Sequence, residues 1–155
     1  FKILSPTKIS NSFFFNKQNL ISKLSNKDKL DFSKSIKILN DLSKYDNAQS
    51  IVCVNGYIIA IEAAEGTDNL LKRVIKIRKK LDQIKNRAGL LTKLPKKNQS
   101  KLVDLPVIGL ETIKLIKKAN LNGIAINPKL TIIHNKEKFL NYAAENDLKI
   151  YNILK

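Results

Sequence analysis

Residues 50–71 read SIVCVNGYIIAIEAAEGTDNLL, and the fold class turns on them. Two runs rich in β-branched residues, Ser50 to Val54 and Tyr57 to Ala63, flank Asn55-Gly56. Asn-Gly between such runs favours a type I′ turn, whose twist suits an antiparallel pair, so a β-hairpin is expected. The apolar run then ends in Glu65-Gly66-Thr67-Asp68, and Leu70, Leu71, Val74, Ile77 and Leu81 follow at helical steps. That pattern predicts a helix from Asn69 to about Lys85, capped by Thr67 or Asp68, with Lys72, Lys76, Lys79 and Lys80 in water.

Outward from this stretch, helices alternate with strands. Toward the N-terminus, Leu30, Phe32, Ile36, Leu39 and Leu42 make Asp28 to Lys44 an amphipathic helix facing a core. Lys2 to Leu4 reads as a short strand and Asn16 to Leu24 as a short helix, with Phe13-Phe14-Phe15 an apolar plug between them. Toward the C-terminus, Ala88 to Leu94 is a strand, and Leu110 to Ala119 is a helix stopped by Asn122-Gly123. Gly123 to Ile126 and Leu130 to Ile133, around Asn127-Pro128-Lys129, are expected to form a second hairpin; Lys136 to Asn146 is a helix and Lys149 to Leu154 a last strand. The class is α/β, a mixed sheet with hairpins and flanking amphipathic helices.

The 155 residues suffice for one ordinary domain with a sizeable core. They include no methionine, so Phe1 is expected to be an internal residue of a longer chain. No basic start leads into an apolar region with a small-residue cleavage site, and no uninterrupted apolar run is long enough to cross a bilayer, so a water-soluble domain is expected. Cys53, alone in Ile51-Val52-Cys53-Val54, reads as a buried structural thiol in a reducing compartment. A net charge of +16 raises nucleic acid as a partner. The charge is nevertheless almost all lysine, comes with abundant Asn and Ile as an A/T-rich coding bias would produce, and is spread along the whole chain. No nucleic-acid partner is therefore expected, only a weak pull toward anionic surfaces.

Two constellations carry chemistry. At the strand-to-helix junction, Gly66 lets backbone approach a ligand, free helix N–H groups can receive phosphate, and Glu65 and Asp68 can hold a divalent cation; an ordinary capped turn is the competing account. The Walker spacing of a P-loop is absent. Asp104 stands between Val103 and Leu105 with Pro106 next, a costly place for a carboxylate unless it is paired, metal-bound or in use; a lysine salt bridge competes. His134, the single histidine, lacks a second His or Cys at ligand spacing and reads as structural. No Ser/His/Asp or Cys/His set can be assembled, which leaves nucleophilic catalysis by the protein unsupported.

In order, Asn55-Gly56, the run Ile61-Glu62-Ala63-Ala64-Glu65-Gly66-Thr67-Asp68, Lys93, Gln99, and Asp104-Leu105-Pro106-Val107-Ile108-Gly109 before a helix resemble the C-terminal domain of the LpxI-type UDP-2,3-diacylglucosamine diphosphatases. The resemblance runs from about Lys27 to the end and includes Asn122-Gly123-Ile124-Ala125. It implies that residues 1–26 are the tail of an N-terminal domain and its linker, and 27–155 a C-terminal catalytic domain. It further implies hydrolysis of the UDP-linked diacylated glucosamine to UMP and 2,3-diacylglucosamine 1-phosphate, with magnesium as the expected divalent metal. The setting would be lipid A biosynthesis in a Gram-negative bacterium, in the cytoplasm at the inner-membrane surface, with room for a homodimer. By the same resemblance Asp68 and Asp104 would be catalytic and metal-binding, and Glu65, Gly66, Thr67, Lys93 and Gln99 would bind substrate. Where that family commonly has an acidic residue and an arginine before Asp-Leu-Pro, this chain has Ser100 and Leu102. A non-enzymatic nucleotide-sugar or lipid-binding module is the alternative.

Overall fold

A computed structural model describes residues 14–15, 24–82, 84–96 and 105–153. The elements are α1 (Asn26–Leu42), β1 (Ser50–Val54), β2 (Tyr57–Ile61), α2 (Thr67–Lys80), β3 (Leu90–Lys93), β4 (Val107–Ile108), α3 (Leu110–Lys118), β5 (Gly123–Ile126), β6 (Ile132–Ile133), α4 (Lys136–Glu145) and β7 (Lys149–Asn152). Five strands form a mixed sheet in the order β2-β1-β3-β5-β7, and β4 and β6 form a small parallel pair. The expected α/β class holds. The expected strand at Lys2 to Leu4, and the helix from Asn16 as far as residue 23, lie outside the described residues.

Side-chain alternation along each strand sorts the sheet into two faces. Ile51, Leu90, Ala125 and Tyr151 pack on the α1 side with Leu39 and Phe32. Val52, Leu91, Ile124, Ile126 and Ile150 pack on the other side with Leu70, Val74, Ile113, Ile116 and Phe139 from α2, α3 and α4. Of the phenylalanine plug, Phe15 joins this second core, its ring edge-on to Phe139 at 6.1 Å. Gly123 is required by close packing rather than by the expected helix stop. A Cβ there would stand 1.9 Å from the Lys149 carbonyl oxygen of the neighbouring strand, and the helix stops earlier, at Lys118.

The expected first hairpin is present, with β1 antiparallel to β2 across Asn55-Gly56, both at positive φ. The second is not. Strand β5 is already bonded on both edges, parallel to β3 and to β7, so Leu130 to Ile133 cannot return along it. The chain instead turns at Asn127, which accepts from Leu130 N at 3.1 Å, and β6 pairs parallel with β4.

The buried faces of α1 and α2 also depart from their apolar periodicity. In α1, Leu30 is 57% exposed, whereas Asp28, Asp31 and Ser35 are buried. The cause is backbone and side-chain donors that need acceptors. Asp31 accepts from Asn55 N at 3.1 Å, Gly56 N at 2.5 Å and Cys53 Sγ at 3.3 Å, which closes the hairpin turn against the helix. Asp28 accepts from Tyr151 OH at 3.1 Å and Asn122 Nδ2 at 2.8 Å, tying α1 to the far edge strand. Helix α2 ends at Lys80, short of the expected Lys85, so Leu81 lies past it and is exposed; within it Arg78 takes an inner position, its guanidinium donating to the carbonyls of Asn86, Ala119 and Asn120.

Burial, and then the neighbouring Asp31 carboxylate, push the Cys53 thiol up to about 12. The thiolate is the nucleophile, so Cys53 should stay inert in the folded protein through pH 10. Iodoacetamide at pH 8.5 is expected to label it only as fast as the protein unfolds, and rapid labelling without added denaturant would contradict this buried pairing.

Candidate functional site

Helix α2 follows β2 after the five-residue connection 62–66, α3 follows β4 after Gly109 alone, and each starts from a glycine, Gly66 and Gly109. The expected cap at Thr67 or Asp68 is displaced by one or two residues: Gly66 is the N-cap, at φ +78, and Thr67 is the first helical residue. A glycine has no side chain to accept from the first-turn N–H groups, and the first intrahelical bonds come only from Leu70 to Gly66 O and from Ile113 to Gly109 O. The donors ahead of them are left for water or an anion.

Both helix starts line one cleft of about 570 Å³, formed by residues 65–69 and 107–112 with His134. The start of α2 lies beside the carboxyl end of β3, where Lys93 reaches Thr67. Thr112 Oγ1 donates to Asp68 Oδ1 at 2.7 Å and bridges the two helices across the cleft floor. Glu65, on the rim, accepts from Arg73 Nη2 and Nε at 2.5 and 3.2 Å, and this guanidinium holds its carboxyl below the usual range. His134, read as structural from sequence, is exposed and lines the cleft, while its backbone N–H donates to Ile108 O in the β4–β6 pair.

Lys93 does not line the cleft. It lies behind the Gly66–Asp68 junction, 3% exposed, with Nζ 2.6 Å from Thr67 Oγ1, 3.3 Å from Ser50 Oγ and 3.8 Å from Glu62 Oε2. Thr67 accepts from Lys93 and donates to Glu62 Oε1 at 3.2 Å. Desolvation lowers the Lys93 pKa, and the carboxylates of Glu62 and Asp68 partly offset it. The arrangement is a buried charge network that holds the first residue of α2 from below.

Asp68, Glu65, Gly66 and Thr67 are thus brought together at one cleft, with Lys93 beneath them; Asp104 and Gln99 lie outside the described residues. Sequence reasoning missed Glu62, Ser50 and Thr112. Glu62 carries the signal that singled out Asp104, a carboxylate within an apolar run. Thr112 carries only its place three residues after Gly109.

The match to known proteins is consistent with this geometry. Residues 17–151 match the family model of the LpxI C-terminal domain. The chain belongs to the LpxI family. An LpxI of Caulobacter vibrioides, named UDP-2,3-diacylglucosamine pyrophosphatase, is 33% identical over 122 residues, covering 78% of this chain and 43% of that protein. The chain therefore spans less than half the length of that relative.

A buried pair is strongly destabilised when one partner is removed, because the other charge is left uncompensated. Lys93→Met is expected to lower stability by about 3–5 kcal/mol in urea unfolding. The double variant Lys93→Met/Glu62→Gln should recover much of that loss; a double variant as unstable as the single would contradict the pairing.

Proposed function

We propose that this chain supplies the catalytic domain of a UDP-2,3-diacylglucosamine pyrophosphatase. Water would cleave the P–O–P bond, releasing UMP and 2,3-diacylglucosamine 1-phosphate in lipid A biosynthesis. The single observation that supports the reading, beside family membership, is the pair of glycine-capped helix N-termini meeting in one cleft and joined by Asp68 and Thr112. A pyrophosphate carries several negative charges on adjacent phosphorus centres, and two sets of main-chain donors at the positive ends of helix dipoles suit them. Such preorganised donors stabilise charge that develops on phosphate oxygens without reorganising as the bond breaks.

A divalent cation belongs to the same proposal, and the donor chemistry fits. Among the described residues Asp68 Oδ1 is engaged by Thr112, while Oδ2 has no hydrogen-bond partner. Magnesium commonly takes one or two carboxylates and completes its shell with phosphate oxygens and water. Asp68 would hold it, together with Asp104 as the family resemblance implies. When bound, it would polarise phosphate oxygens and neutralise charge on the leaving group. Thr67 and Gly66 would present main-chain N–H groups to the phosphates, and Lys93 would act from beneath, keeping Thr67 in place.

No helix among the described residues is long and apolar enough to cross a membrane. Location in the cytoplasm, with docking on the inner-membrane surface to reach a diacylated substrate, is part of the proposal; exposed Lys72, Lys76, Lys79 and Lys80 on α2 support an attraction to anionic headgroups.

The test is UMP release from UDP-2,3-diacylglucosamine by the full-length protein in magnesium. Asp68→Asn and Asp104→Asn are each expected to slow turnover by about a hundredfold to a thousandfold with the melting temperature nearly unchanged. Binding of the substrate without any release of UMP would favour a non-enzymatic module instead.

A further inference from the structure

We propose that Thr112 is a positioning residue for this cleft, fixing which oxygen of Asp68 faces the ligand and holding the two helix starts together. The inference rests on the pyrophosphatase reading above but concerns a residue to which that reading gave no task. A threonine hydroxyl has one proton and two lone pairs. The Gly109 N–H, 3.3 Å away, is a donor and must meet a lone pair, so the single hydroxyl proton is left for Asp68 Oδ1 at 2.7 Å. The direction of both bonds follows from this chemistry alone.

Two consequences follow. Asp68 Oδ1 accepts from Thr112, which fixes the rotation of the carboxylate and, in this proposal, leaves Oδ2 to the cation or phosphate the cleft holds. The bond also joins residues 44 apart in sequence, so it fixes the start of α2 to the start of α3 at the point where both offer free N–H groups. A threonine in the first turn of a helix ordinarily serves only its own N-cap. Here the hydroxyl, on a side chain only 4% exposed, serves the neighbouring helix as well.

The experiment uses the full-length protein with Thr112→Val, Thr112→Ser, Asp68→Asn and the combined Asp68→Asn/Thr112→Val. Three quantities are read: manganese affinity by electron paramagnetic resonance, UMP release in magnesium, and thermal unfolding. Thr112→Val keeps the shape and removes the hydroxyl. It is expected to lower kcat/KM and manganese affinity each by about 10- to 100-fold, the usual cost of losing a partner that orients a metal-binding group. Thr112→Ser should restore both to within about threefold, because the hydroxyl returns. In the Asp68→Asn background the valine change should add no further loss, since residues that act as a unit are not additive. The proposal is overturned if Thr112→Val only lowers the melting temperature while turnover and manganese affinity per folded molecule persist. It is equally overturned if the valine loss multiplies onto that of Asp68→Asn. If the wild-type protein binds manganese and Thr112→Val weakens that binding, yet no UMP is released by either, the pyrophosphatase reading fails and the positioning role stands.

Discussion

The hydrogen bond from Thr112 to Asp68 is the constraint around which the candidate site is organised. A helix start is a modest electropositive feature by itself, and its influence falls off within the first turn. Two starts held at one cleft, with a carboxylate bonded between them, would make, in the proposed reading, a receptor for a polyanion and its counter-cation. The chain path supplies the placement. Helix α2 follows β2, the antiparallel edge strand of the main sheet, α3 follows β4 of the small parallel pair, and the two helices pack against each other.

The cleft needs support from behind, and the Lys93, Glu62, Thr67 and Ser50 network provides it. Burying an ammonium costs several kcal/mol unless it is paired, and the lowered Lys93 pKa records that cost. Pairing with Glu62 offsets part of it, and the hydroxyls of Thr67 and Ser50 take up the remaining proton directions. A side chain that the family resemblance assigns to the substrate thus bears on the first residue of α2, behind the cleft. A similar division of labour appears at the opposite face, where Asp31 and Asp28 hold α1 to the hairpin and to β7.

Features set by nearby residues were legible from the sequence. Asn55-Gly56 defines its hairpin because the turn type depends on two residues, and the Leu70, Leu71, Val74 pattern defines α2 because its period is local. Features set by partners far along the chain were not. Gly123 to Ile126 has the composition of a hairpin arm, but its two edges are filled by strands some thirty residues before and after it, which no local pattern records. Arg78 and Asp31 stand outside the apolar pattern of their helices, yet each is buried for the sake of backbone groups that only the tertiary fold brings near. At the site, the family motif led to Asp68, Glu65, Gly66 and Thr67. Thr112 and Glu62 escaped because their roles exist only in contact with those residues.

The most direct test of the central claim is diffraction from the full-length protein crystallised with manganese and inorganic pyrophosphate. The account predicts an anomalous peak about 2.2 Å from Asp68 Oδ2, with phosphate oxygens against the main-chain N–H groups that open α2 and α3. Pyrophosphate and manganese bound elsewhere, for example in the groove formed by Tyr57, Arg78 and Asp82, with the Asp68 cleft empty, would contradict it.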